Sequence, residues 1–271
     1  MKPLITIVTI SFNQVLFLED CIRSTEKLLN QDIQHLIIDA GSVDGSRELL
    51  SRWSSKRSNL DIIFEPDDGP ADGLNKGLSL AKGEWVCFLN SDDFFLEQGL
   101  SRLADTLQRS ENFDFVYGHG LKFKDNKIEA KIVSDFSEFC FISNQLKMFQ
   151  QSTAFRNSFL REKEIRFNTK NLTCWDLEFC LDVVKSGSRN KKVNEFFGGF
   201  RIHSESISGS GQLELIYKND ISNLKMKSNR NYGPVLRISA MFITTATQVM
   251  TRIRFFYKIR RVKNENTNFS N

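Results

Sequence analysis

The sequence predicts an α/β protein: an open, mostly parallel sheet flanked by helices, with a helical extension at the C-terminus. Three observations lead there. Residues 4–90 alternate short β-rich runs with segments of helical period. The opening run, LITIVTI at 4–10, is apolar and β-branched with no clean alternation, the mark of a strand buried on both faces of a parallel sheet. Polar stretches rich in Gly and Asp follow the strands, at the ends where open α/β sheets bind ligands.

The elements follow in order. After the first strand, Leu18, Ile22, Thr25 and Leu29 recur at helical spacing. HLIID at 35–39 is the second strand, and DGSRELLSRW at 44–53 opens a helix with Asp44 as its N-cap. DIIFEP at 61–66 is the third strand, a helix over 70–83 is closed by Gly83, and EWVCFLN at 84–90 is the fourth strand. A helix over 96–109, a strand pair in FVYGHGLKF and KIEAKIV, a helix over 175–186 and a strand near FFGGFRIH complete a domain spanning 1–211. Residues 212–271 read as a basic, apolar helical extension with a polar tail.

Composition narrows the function. The 271 residues are 40% hydrophobic, enough for one large buried core, and a net charge of +4 suits neither a nucleic-acid binder nor an acidic solvating protein. Five scattered cysteines, Cys21, Cys87, Cys140, Cys174 and Cys180, form neither a zinc pattern nor a disulfide framework. The N-terminal apolar run is too short for a signal peptide, and no run reaches the ~20 apolar residues of a membrane span, so the chain is expected in the cytoplasm.

The chemistry concentrates after the strands. Asp92 and Asp93 end the fourth strand side by side, and two adjacent carboxylates repel unless a cation or donors sit between them. The pair reads either as a site for Mg²⁺ or Mn²⁺, completed by water and phosphate oxygens, or as a solvated cap of the next helix. In IIDAGSVDGS, Asp39 ends a strand and Gly41 and Gly45 permit tight turns beside a ligand.

The order of TISFN, IIDAGSVDGS and FLNSDD resembles the family 2 glycosyltransferases, whose GT-A fold binds nucleotide sugars, over about residues 4–210. The resemblance implies that Thr9, Ser11 and Asn13 line the nucleotide pocket and that Asp39 accepts a hydrogen bond from the base. It places Asp68, Asn75 and Lys76 near base and ribose, and Asp92 and Asp93 at the ribose and the metal. Asn90 stands where the family's usual D-x-D begins, leaving the adjacent pair to do that work. CWDLEFCLDVVKSG at 174–187 resembles the helix that carries the catalytic carboxylate, which makes Asp176 the base, with Trp175 in place of the usual Glu. Asp176 also reads as a cap of that helix, a role compatible with the first. FQQSTAFRNSFL at 149–160 would shape the acceptor side through Gln150 and Gln151, together with Trp175, and GGFRIHSESIS would bring Arg201 and His203 to the diphosphate or metal.

The activity implied is an inverting, metal-dependent transfer of a sugar from a nucleoside-diphosphate sugar to a saccharide or lipid-linked saccharide, in surface polysaccharide synthesis. Two alternatives share the fold class. A nucleotidyltransferase would want a Gly-rich phosphate loop after the first strand, where SFNQVLFLED stands; a non-catalytic binding module would leave Asp176 far from the metal site. The basic, apolar stretch from Val235 to Lys263 either lies on the inner face of an anionic membrane or covers the domain.

Overall fold

The structure, a computed structural model, describes residues 2–26, 33–125, 127–206, 209, 211, 213–228, 250 and 256–267. Among these residues nine strands form one sheet: β1 (Ile5–Ser11), β2 (Ile33–Asp39), β3 (Leu60–Phe64), β4 (Trp85–Phe88), β5 (Phe94–Phe95), β6 (Phe115–Lys124), β7 (Lys127–Lys131), β8 (Thr153–Arg156) and β9 (Asn190–Arg201). They run in the order β3-β2-β1-β4-β8-β6-β9-β5, with β7 paired to β6. The first four are parallel, β8 is antiparallel to both its neighbours, and β9 runs parallel to β6.

The sheet is buried on both faces because alternate residues of β1 serve different layers. Val8 packs with Leu74 and Leu78 of α3 (Pro70–Leu80), whereas Ile5 and Ile7 pack with Leu100, Leu103 and Leu107 of α4 (Gly99–Gln108). α1 (Val15–Ser24) and α2 (Ser46–Ser54) meet over Ile37 through Leu18, Ile22, Leu49 and Leu50. The chain continues through α5 (Glu138–Ile142), a 3₁₀ turn at Gln150–Ser152, α6 (Asn157–Glu162) and α7 (Trp175–Lys185). Aromatic packing fixes α7: Phe179 stacks on Phe167 at 4.1 Å and meets Phe88 of β4 edge-on at 5.5 Å. Asp176, one turn earlier, is thereby carried to the carboxyl end of the sheet.

Two local readings are corrected. Asp44 does not cap α2; Gly45 holds the N-cap position with φ +100°, and the Asp44 carboxylate accepts from Ser46 N at 3.0 Å and from Val15 N at 2.9 Å, tying the starts of two helices together. Gly83 does not close α3, whose last residue is Leu80. It donates instead to Thr6 Oγ1, and a Cβ there would stand 2.4 Å from Thr6 N. Gly83→Ala is therefore expected to cost about 1–3 kcal/mol by overpacking, read as a lower urea midpoint.

Beyond β9 come α8 (Glu214–Lys227) and α9 (Phe256–Glu265). α8 is bound to α7 by Lys227–Glu178 at 3.0 Å and by Leu224, which is buried in the main core. α9 buries Val262 beside Phe94 and Phe123, and Asn266 accepts from Glu97 N at 2.8 Å. This part of the C-terminal stretch covers the domain. Residues 235–249 and 251–255, which carry most of the basic, apolar run, lie outside the described residues, as does Leu29. Among the described residues no helix is long and apolar enough to cross a membrane.

Candidate active site

A cavity of about 680 Å³ opens at the carboxyl ends of β1, β2 and β4. Its walls include Ser11 at the end of β1 and Gln14 beyond it, Ala40 after β2, Asp67 and Gly69 before α3, and Asn90, Ser91 and Asp92 after β4. Gln150 and Gln151 of the 3₁₀ turn, Trp175 and Asp176 of α7, and Glu205 and Ser206 close the far side. Among the described residues of the lining four are acidic, Asp67, Asp92, Asp176 and Glu205, and none is Lys or Arg.

Five buried polar atoms on this wall have no hydrogen-bond partner among the described residues: Ser11 Oγ, Gln14 Oε1, Asn90 Oδ1, Gln150 Nε2 and Trp175 Nε1. Each unsatisfied group costs about 1–3 kcal/mol. Their clustering among the residues of one cavity marks a region that water or a polar ligand completes.

The two adjacent aspartates part company. Asp93 is fully buried, with Oδ2 accepting from Gln151 Nε2 at 2.6 Å and Oδ1 from Arg201 N at 3.0 Å. Burial and the neighbouring Asp92 charge push its carboxyl well above the usual range. Asp92 faces the cavity, and its Oδ2 lies 3.2 Å from His203 Nε2. The structure thus turns Asp93 inward, as the tie between the 3₁₀ turn and β9, and leaves Asp92 facing the cavity with His203, packed on Phe17, behind it.

Asp176 lines the cavity. Cys174 holds the N-cap position of α7, so Asp176 is not its cap. Burial raises its carboxyl to about 6, against the opposing hydrogen bond from Leu177 N at 2.7 Å. A carboxyl poised there is suited to accept a proton near neutral pH.

The other expected residues divide. Ser11, Gln150, Gln151 and Trp175 line the cavity. Thr9 does not: it is fully buried, and its hydroxyl pairs with His35 Nε2 at 2.9 Å. Asp39 is likewise buried, its oxygens taken by Gly41 N, Ser42 N and Ser42 Oγ, so Gly41 serves the Asp39 turn. Asn13 holds the same loop through Val43 N. Asn75 bonds both backbone groups of Phe167, and Lys76 pairs with Glu65 and Asp72. Arg201 is committed to Asp20 at 2.9 Å and to the Asp92 carbonyl, sandwiched by Phe17 and Phe94. Asp68 is exposed, and Asp67 takes the place expected for it on the wall.

Among known proteins, the model of glycosyl transferase family 2 matches residues 6–174. The chain belongs to that family. A putative teichuronic acid biosynthesis glycosyltransferase from Bacillus subtilis is 26% identical over 77% of this chain and 83% of its own length. An uncharacterized glycosyltransferase from Haemophilus influenzae is 35% identical over the same shares. In fold, the chain is similar to S. aureus TarS 1-349 in complex with UDP-GlcNAc, with TM-score 0.65 and 15% identity over 86% of this chain and 69% of that one. A Pyrobaculum calidifontis mannosyltransferase in complex with GDP-Man and Mn²⁺ gives TM-score 0.56 at 13% identity, over 100% and 87%.

This family 2 member is a glycosyltransferase with the GT-A fold that its motifs implied. Sequence reasoning missed Asp67, Gln14 and Glu205 on the wall. For Asp67 a signal existed: in D-D-G-P the first Asp stands two before the Gly, the spacing of an Asx turn, and its Oδ1 accepts from Gly69 N at 3.0 Å.

Proposed function

We propose that this glycosyltransferase moves a sugar from a nucleoside-diphosphate sugar to a saccharide hydroxyl with inversion, in the synthesis of a surface polysaccharide. The observation that carries the reading is the acid-lined cavity whose lining includes both Asp92 and Asp176. That shared cavity disfavours a non-catalytic module, which would separate them.

An anionic diphosphate cannot settle against four carboxylates without a cation, so the donor set fits the Mn²⁺ or Mg²⁺ that the family implies. Asp92 and His203 would hold it, with water and diphosphate oxygens completing the shell, and it would supply neutralising charge to the leaving group. The chain's own groups do the rest. Asp176 takes the proton of the acceptor hydroxyl as that oxygen bonds the anomeric carbon, and the bond to the diphosphate oxygen breaks with its electron pair leaving on the diphosphate. Gln150 Nε2 and Trp175 Nε1 donate to hydroxyls of the sugars on either side of Asp176, while Ser11, Gln14 and Asn90 meet the nucleotide half.

A thermal-shift panel of nucleoside diphosphates tests this. One nucleotide with Mn²⁺ is expected to raise Tm by about 5–10 °C, with the shift lost in Asp92→Ala. No shift with any nucleotide, with or without metal, would sink the proposal.

A further inference from the structure

A second cavity of about 710 Å³ lies beside the first, and the two share Met148, Thr173 and Asp176. Asp176 thus belongs to the wall between two spaces, and the two differ in charge. Against the acid-lined first cavity, the second is lined by Lys131 of β7, Lys147 and Lys225 of α8, with Glu129 and Asp176 as its carboxylates. Three lysines to two carboxylates leave its lining net positive, and Glu129 already pairs with Lys131 at 2.9 Å. Lys225 donates to the amide oxygen of Asn144, a partner that carries no opposing charge. Behind the wall, Asp220 is engaged by Thr173 Oγ1 at 2.7 Å, and Glu178 by Lys227.

The same cavity offers a surface for a sugar ring. Tyr217 of α8 lines it with 46% of its surface exposed, beside Leu177 and Ile221. An aromatic face with a polar tip is suited to the apolar side of a pyranose. Charge then sorts the substrates. An anion that brings no cation, unlike the diphosphate of the donor, meets Asp67, Asp92 and Glu205 as well as Asp176 in the first cavity, while in the second it meets lysines.

We propose that the second cavity is the acceptor site and takes a saccharide bearing an anionic group, a carboxylate or a phosphate, held by Lys131, Lys147 and Lys225 with a sugar ring against Tyr217. The proposal rests on the reading of Asp176 as the base, since it is the acceptor hydroxyl that must reach Asp176 from this side. It gives α8 a substrate-binding role beyond its packing on α7.

The test is saturation-transfer NMR with three probes, methyl β-glucuronide, methyl glucoside 6-phosphate and neutral methyl β-glucoside, on the wild type and on Lys147→Gln/Lys225→Gln. At least one anionic probe is expected to bind about tenfold more tightly than the neutral one, and the variant should lose that advantage. A preference for the glucuronide alone assigns a uronate, a preference for the phosphate alone a phosphate group, and both together a general anion site. Equal binding of all three by the wild type, or a preference the variant retains, overturns the proposal. The variant's thermal response to nucleoside diphosphate should match the wild type's, because its changes lie outside the first cavity. An intact anion preference in a wild type with no nucleotide response would overturn the donor reading and leave the anion site standing.

Discussion

Replacing Asp176 with Asn is expected to slow sugar transfer by about 10²–10⁴-fold and, at neutral pH, to make the protein more stable. The two effects share one cause. An Asp in the unfolded chain ionises near pH 3.9, whereas burial holds the Asp176 proton to about 6. Between those values the folded state binds more protons than the unfolded one, so stability falls as pH rises through the window. A shift of this size corresponds to at most about 3 kcal/mol, charged in full above pH 6 and absent below about pH 4. Asn carries no such charge, yet its side-chain oxygen can still accept from Leu177 N. Urea midpoints of the two proteins should therefore coincide at low pH and separate toward pH 8, with the variant higher. Asp93 and Asp67 are also raised by burial, but they are present in both proteins and cancel in the difference. Wild-type activity should fall on the acid side of about pH 6 as the base takes up its proton. A variant with full turnover, or one less stable than wild type at pH 8, would remove Asp176 from the role of buried base.

Asp92→Ala and Asp93→Ala are expected to fail in different ways although the residues are neighbours. Asp93→Ala leaves Gln151 Nε2 and Arg201 N buried without their acceptor, at about 1–3 kcal/mol each, less what is regained by removing a buried carboxyl. The net loss should be about 2–4 kcal/mol in urea unfolding. Asp92→Ala opens onto the cavity, so its stability should stay within about 1 kcal/mol of wild type while turnover drops about 10²-fold or more. Equal stability losses in the two variants would show that the carboxylates do the same work.

Much of the architecture was legible in the residues. The parallel half of the sheet follows from unbroken apolar strands at helix-spaced intervals, and α7 from its apolar period and the Trp-Asp at its start. The elements missed, β5, α5, the 3₁₀ turn, β8 and α6, are all short. Too few residues repeat in them for a period to show, and β8 exists because β4 and β6 offer it edges from opposite sides.

The site divides along the same line. Sequence alone placed Ser11 and Asp92 at the carboxyl ends of the strands, because parallel topology sends every βα loop to one end of the sheet, whereas Asp176 and the two glutamines came from the family resemblance. It also marked the family, since the motifs fall in loops whose order the chain preserves. Only the tertiary structure decided which of Asp92 and Asp93 faces the cavity, which of Asp67 and Asp68 lines the wall, and that Thr9 turns into the core toward His35. Once a strand ends in a turn, its two-residue alternation no longer fixes where a side chain points. Its partners fix it instead, and for Asp93 they lie 58 and 108 residues away, at Gln151 and Arg201.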